Sequence, residues 1–270
     1  MRATGVQVPE RPAVSPARIP AAASTWAAAR LGGSAREVPV IGSGPHAVYL
    51  AIDDEAIALL ARAAVQVPVG LNTDLPSLPT SGTAKVGNGQ LRLGPLLVRA
   101  ARLVDPRVPR LPGLAARGRA WAAALPMSLP VVLSDALPTS ALQSLAAADT
   151  CAVGQLIGRG AGLTPLGDDV LAAWLVSRSA AGLDHGGVDN AVLAATGRTT
   201  MLSATLLLRA LAGEAVPQLR DLLIAVGTGV GPEQLRCQLD ELLAVGHTSG
   251  AGLALGAALA LNPALDRCNA

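Results

Sequence analysis

The stretch Asp105-Pro-Arg-Val-Pro-Arg-Leu-Pro112 separates two textures of sequence and so decides the fold class. Its three prolines fix φ and push each preceding residue toward extended conformations, which makes the segment a stiff connection. On its N-terminal side, from about Glu37 to Val104, short apolar runs are broken by Gly, Pro, Asn and Asp. Strands are expected at Ala47–Ile52, Val65–Leu71, Thr83–Val86, Gln90–Leu93 and Leu96–Val104, with Gly87-Asn88-Gly89 as a hairpin turn. Within this half, Asp54–Ala64 carries Ile57, Leu59 and Leu60, followed by Val65, at a spacing that suits one short helix. On the C-terminal side helical periodicity takes over. Helices are expected at about 113–125, 139–150, 167–181, 187–212, 217–226, 231–245 and 249–261, with Ser140, Asp189 and Ser249 near starts. The expectation is an α+β chain, with a disordered or loosely packed tail over 1–36, an N-terminal β-rich domain over 37–111 and a mainly α-helical domain over 112–270.

Hydrophobic residues make up 51% of the chain and aromatic ones only 1%, with no Phe, so the core must be built from Ala, Leu and Val. Small side chains of this kind let helices pack closely. Lys and Arg number 21 against 19 Asp and Glu, a net charge of +2 that is too near neutral to imply a nucleic-acid surface or an anionic membrane partner. Mean hydropathy is +0.44, yet the purely apolar run Gly250–Leu261 falls short of the roughly 20 residues a membrane span needs. A buried helix is expected there. Met1–Pro20 holds Arg2, Glu10, Arg11, Arg18 and four prolines with no continuous apolar segment, unlike a secretory signal. Cys151, Cys237 and Cys268 form no C-x-x-C pair, which argues against a disulfide framework or a zinc site and for reduced thiols in the cytoplasm.

Three polar islands interrupt the Ala/Leu background of the helical half. The first joins Gly158, Arg159, Gly160, Gly162, Thr164 and Gly167 to Asp168 and Asp169. Its glycines allow positive φ and a close approach of backbone N–H groups to a phosphate or carboxylate, and a helix N-terminus adds partial positive charge. Thr164 and Pro165 suit the N-cap and first helical position, and Arg159 suits a bidentate anion clamp. Asp168 and Asp169 then fall in the first turn, where helix capping alone also accounts for them. The second island is Arg198-Thr199-Thr200 with Ser203, in which 199 and 203 share a helix face and present hydroxyls to an anion or back to their own helix. The third is Gly246-His247-Thr248-Ser249-Gly250, where hydroxyls cap a helix or hold an anion and a histidine, which titrates near neutrality, is suited to proton transfer. Signatures of P-loop kinases, serine hydrolases, zinc peptidases and dinucleotide-binding folds are missing.

Taken together, Gly160-Ala-Gly-Leu-Thr-Pro-Leu-Gly-Asp-Asp169 with Ala172-Ala173-Trp174, Thr199-Thr200 with Ser203, and Gly246-His247-Thr248-Ser249-Gly250 resemble the AllH-like family, formerly a domain of unknown function. The resemblance covers about residues 40–262, with a weaker echo at Pro45-His46-Ala47-Val48-Tyr49. Leu166 departs from a serine common before Gly167, and Ala47 from a serine expected after His46. The resemblance implies a subunit of the three-component oxamate carbamoyltransferase of allantoin catabolism, which interconverts oxalurate plus phosphate with oxamate plus carbamoyl phosphate. AllF-like and AllG-like chains are the implied partners. The implied site has the loop at 158–164 as an anion cradle, Asp168 and Asp169 as a candidate magnesium pair or donor-orienting acids, and His247 as a proton shuttle. A non-catalytic anion-binding or assembly subunit, or a magnesium-dependent phosphoryl or acyl transferase of unrelated substrate, stands as the alternative.

Overall fold

The structure, a computed structural model, describes residues 17–125 and 136–262. Its N-terminal part contains β1 (Ala17–Ser24), α1 (Thr25–Ala29), β2 (Arg36–Val38), β3 (Val40–Ser43), β4 (Ala47–Ile52), β5 (Glu55–Leu60), β6 (Gly70–Thr73), β7 (Ala84–Gly87), β8 (Gln90–Leu93) and β9 (Leu96–Val104). These form one nine-stranded sheet in the order β2-β7-β8-β9-β1-β6-β5-β4-β3. β1 runs parallel to β9 and β5 parallel to β6, and the remaining pairs are antiparallel. The sheet curls until β2, at one edge, approaches β4, next to the other, giving a barrel-like shape. Leu50, Ile52, Ile57, Leu59, Leu91 and Leu93 fill its interior.

Two expectations for this half are corrected. Residues 17–36 are not a loose tail, because β1 lies inside the sheet between β9 and β6, and Ser24 caps α1 by accepting from the Ala27 N–H at 3.1 Å. A strand with neighbours on both sides has its backbone groups paired, and the alternating burial of Ala21 and Ala23 shows which side faces the core. Residues 1–16 lie outside the described residues. Nor is Asp54–Ala64 a helix: Glu55–Leu60 is β5, buried on both faces, and a strand with no wet side reads as a continuous apolar run. The Gly87–Gly89 hairpin joins β7 to β8 as expected, with Asn88 and Gly89 both at positive φ.

The C-terminal part is mostly helical, as expected. It contains α2 (Leu114–Ala123), α3 (Thr139–Ala146), α4 (Cys151–Leu156), α5 (Leu166–Ala181), α6 (Val188–Ala195), α7 (Met201–Leu211), α8 (Pro217–Thr228), α9 (Pro232–Leu243) and α10 (Ser249–Leu261). α10 is buried along nearly its whole length and packs chiefly on α5. The approach is closer than side chains allow: a Cβ on Gly256 would lie 2.2 Å from the carbonyl oxygen of Val170. Among the described residues no helix is long and apolar enough to cross a membrane. The single helix expected over 187–212 is corrected to α6, a 3₁₀ turn at Thr196–Arg198, and α7. The break falls on the second polar island, where Thr200 leaves the helical region and accepts from the Ser203 N–H at 3.1 Å as the cap of α7.

The proline connection is tied down rather than free. Val108 N–H donates to Gly213 O, Ala215 N–H to Pro106 O and Leu111 N–H to Ala180 O, at 2.9, 3.0 and 2.8 Å. The outer face of β5, made of Ala56, Ala58 and Leu60, packs on Leu202 with Met201 and Leu206 of α7. The Ala56 N–H donates to Thr205 Oγ1 across this contact at 2.8 Å.

Candidate functional site

Adjacent acids at the start of α5 have opposite environments. Gly158, Gly160 and Gly162 all take positive φ, and the loop they form folds back over the start of α5. Gly167 N–H donates to Arg159 O at 2.8 Å, and a Cβ on Gly167 would meet the Leu156 carbonyl oxygen at 2.0 Å, so only glycine lets α4 and α5 come this close. The N-cap is Pro165, not Thr164 as expected; Thr164 turns its hydroxyl instead toward Ser249 Oγ, 3.3 Å away.

Asp168 is 2% exposed and fully engaged. Its Oδ1 accepts from Gly158 N–H at 2.7 Å, and its Oδ2 accepts from Ser203 Oγ at 2.7 Å and from the Thr199 hydroxyl. This carboxylate therefore ties the first polar island to the second, using for its own satisfaction the N–H and O–H groups expected to hold an external anion. Both of its oxygens thus face protein donors, and no group of three or more His, Cys, Asp or Glu side chains suited to a metal occurs among the described residues.

Asp169 is 9% exposed, and its Oδ2 is buried with no hydrogen-bond partner. Burial pushes its pKa up to about 7, the nearby Ser249 hydroxyl pulls it down, and the Asp168 charge adds to the rise. It faces a cavity of about 350 Å³ between the sheet and the helices. The polar end of this cavity gathers Asp169, Thr164, Gly246 and Ser249 from two of the islands with His46 and Tyr49 from the echo on β4 and the loop before it. Burial also raises the Tyr49 phenol. The remaining walls are apolar, and Glu214, whose Oε2 is buried without a partner, lines them as well. Burial raises the Glu214 pKa against the pull of Arg209, whose Nη1 stands 3.8 Å from Glu214 Oε1. No lysine or arginine is among the described residues lining the cavity.

The other expected site residues lie elsewhere. Arg159 Nε donates to Ala136 O at 2.9 Å and Arg198 Nη2 to Gly154 O at 3.0 Å, so each guanidinium makes a helix or loop contact outside the cavity. Thr200 donates to Leu163 O at 2.5 Å, which pins the glycine loop to the start of α7. His247 and Thr248 are exposed and line no part of the cavity, and Gly250 is buried where α10 meets α9, a Cβ there falling 2.1 Å from Leu242 O. Sequence reasoning missed Leu202, Leu206 and Ala210, whose spacing looks like any core stripe, and Glu214, whose lone acid after a helix end was the available signal. A separate cluster joins Ser179 Oγ to His185 Nε2 at 3.1 Å with Asp189 Oδ2 3.6 Å from Nδ1, but it sits at the C-terminal end of α5, where the helix dipole opposes a developing oxyanion.

Fold and site together define a class: a barrel-like sheet followed by a helical part, with a buried aspartate at the start of a helix in the wall of a cavity between them. Residues 156–261, from the end of α4 to the end of α10, match the model of the family described as oxamate carbamoyltransferase subunit AllH. The match contains all three polar islands, whereas His46 and Tyr49 lie outside it. No curated protein and no solved structure matches the chain.

Proposed function

We propose that this chain is a subunit of an oxamate carbamoyltransferase-type enzyme, acting with AllF-like and AllG-like partner chains, and that Asp169 is its acid–base group. The observation that carries the reading is that the segment matching the family supplies the buried carboxyl of the cavity wall, one of whose oxygens has no partner. In the direction of oxalurate breakdown, a phosphate oxygen attacks the ureido carbonyl carbon and the C–N bond to the oxamate nitrogen breaks. That nitrogen gains a proton as the attacking phosphate loses one. A carboxyl whose pKa lies near 7 suits both halves of this exchange, since it gives up and takes back a proton near neutral pH. Thr164 and Ser249 hydroxyls beside it supply donors for the carbamoyl oxygen.

The phosphate and the oxamate carboxylate need positive partners, and the described lining of the cavity offers no lysine or arginine. Partner chains closing over His46 and Gly246 at the polar end provide them in this reading. The glycine loop then acts as a frame for Asp168 and Asp169 rather than as the anion cradle itself. Exposed, free Cys151 and Cys237 support a reducing, cytoplasmic setting.

The test is reconstitution of the three chains and an assay of carbamoyl transfer between carbamoyl phosphate and oxamate. Asp169→Asn is expected to lower kcat by at least about a hundredfold, the scale of a lost acid–base group. Activity of the complex that does not depend on this chain, or an Asp169→Asn complex with the wild-type rate, would overturn the reading.

A further inference from the structure

Five cations that stand far apart in the sequence share the outer surface of the barrel-like sheet, and strand register sets them there. Lys85 of β7 lies directly opposite Arg92 of β8, Arg92 opposite Leu97 of β9, and Leu97 opposite Arg18 of β1. Arg99 is two positions beyond Leu97 on the same face of β9, diagonal to both Arg92 and Arg18. A register shift further along the β1–β9 pair sets Arg102 opposite Ala22, which keeps that arginine on the outer side. All five are exposed, while Val86, Leu91, Leu93 and Val98 beside them along the strands are buried inside the sheet. Like charges opposite or diagonal on a sheet repel, and the chain compensates only one of these. Lys85 Nζ pairs with Glu37 Oε1 at 3.0 Å; among the described residues Arg18, Arg92, Arg99 and Arg102 make no hydrogen bond or ion pair. Asp74 lines a depression with Arg102 but forms no ion pair with it. The stretches outside the described residues hold Glu10, Asp135 and Asp266 against Arg2, Arg11 and Arg267, so they bring no surplus of negative charge to this face.

We propose that this face is the docking surface for an acidic patch on a partner protein subunit, whose carboxylates seat on Arg18, Arg92, Arg99 and Arg102 around Leu97. Charge complementarity carries the assignment, since a guanidinium takes a carboxylate bidentately and four of them here await an acid that this chain does not supply. The surface between the arginines is apolar: Leu97 is half-buried among three of them, a groove of about 350 Å³ runs from Arg18 to Arg99 over Pro20 and Ala101, and Leu103 beyond it is 60% exposed. An apolar centre with a charged rim is the anatomy of a protein interface. Single-stranded nucleic acid would need aromatic side chains to stack on, and Trp26, Tyr49, Trp121 and Trp174, the aromatic residues of the chain, are not on this face. None of the five cations lines the cavity with Asp169 in its wall, so docking here leaves the cavity mouth open. That the occupant is a subunit of the same complex rests on the proposed function.

The experiment compares the full chain with Arg92→Glu/Arg99→Glu and, as a control for net charge, with Arg119→Glu/Arg236→Glu, two exposed arginines on α2 and α9. Melting transitions show that each variant is folded. Assembly with the AllF-like and AllG-like chains is followed by analytical ultracentrifugation at about 0.1 M salt, where charges act over about 10 Å. The reversed face is expected to weaken assembly at least about tenfold, and the control to change it less than about twofold. Assembly that Arg92→Glu/Arg99→Glu leaves intact would overturn the inference. The same proteins are titrated with poly-L-glutamate, an oligothymidylate and phosphatidylserine vesicles. Polyglutamate is expected to bind wild type and control alike and the reversed face at least about tenfold more weakly. Oligothymidylate or vesicles held by this face more tightly than polyglutamate, or polyglutamate binding that is absent or ignores the reversal, would also overturn it. Failure of the wild-type chains to assemble sinks the subunit reading, and the polyglutamate titration then decides the acidic docking face by itself.

Discussion

Asp168 on α5 and Ser203 on α7, thirty-five positions apart in sequence, meet through a 2.7 Å hydrogen bond inside the protein. The same carboxylate takes the Gly158 N–H and the Thr199 hydroxyl, so one side chain holds a loop and two helix starts in register.

Removing that side chain strands three donors. Asp168→Ala is expected to destabilise the protein by about 3 to 5 kcal/mol, the scale for breaking a buried charged network by deleting one partner. Ser203→Ala, which deletes one of three donors, is expected to cost about 1 to 2 kcal/mol. Urea unfolding of both variants measures this, and equal losses would mean that the carboxylate is not the hub.

Asp169 carries the opposite signature. Its carboxyl pKa, raised from 3.8 to about 7, means that the folded state holds its proton over a range where the unfolded chain has lost it. Its contribution to stability is present below about pH 4 and is lost as pH rises through 7. Asp169→Asn is therefore expected to match wild type near pH 4 and to be more stable at pH 8, by on the order of 3 kcal/mol. Melting temperatures measured across that interval decide it; a variant destabilised at pH 8 would show that the carboxylate is well solvated.

The contact between α10 and α5 tolerates no added atom at Gly256, where a Cβ would overlap the Val170 carbonyl. Gly256→Ala is expected to cost about 1 to 3 kcal/mol despite alanine's better helix propensity, because overpacking outweighs it. Gly231, which has open space around its Cβ position, is the control, and Gly231→Ala is expected to change stability by less than about 1 kcal/mol.

Thr205→Val keeps the shape of the side chain and removes the acceptor of the Ala56 N–H. The loss is expected to be about 1 to 3 kcal/mol, the cost of a buried donor left unpaired. Hydrogen exchange at the Ala56 amide reports it directly: exchange as slow as in wild type would show that the bond contributes little.

Much of the fold was legible because its signals were local. Gln90–Leu93 alternates between glycine turns, and α10 begins and ends where its polar flanks place it. β5 was misread because burial on both faces erases the alternation that marks a strand, and β1 because an alanine- and proline-rich segment gives no hint of the two strands that flank it. The break before α7 was visible as a polar island, but a threonine that caps and a threonine that faces solvent look alike until φ and ψ are known. In the site, the sequence singled out both acids, yet nothing distinguishes neighbours in a row until packing turns one toward three donors and the other toward a cavity. Arg159 and Arg198 had the right chemistry for an anion, and carbonyls of the protein itself claimed them.

β5 belongs to two cores at once, with Ile57 and Leu59 inside the barrel-like sheet and Ala56, Ala58 and Leu60 against α7. Neither half can lose its partner without wetting a strand that has no water-tolerant side. The proline connection thus marks a boundary of texture and not of cooperativity: heat or denaturant should dissolve sheet and helices in one sigmoidal transition, and a fragment cut at Pro112 should be obtained as an aggregate rather than as a folded module.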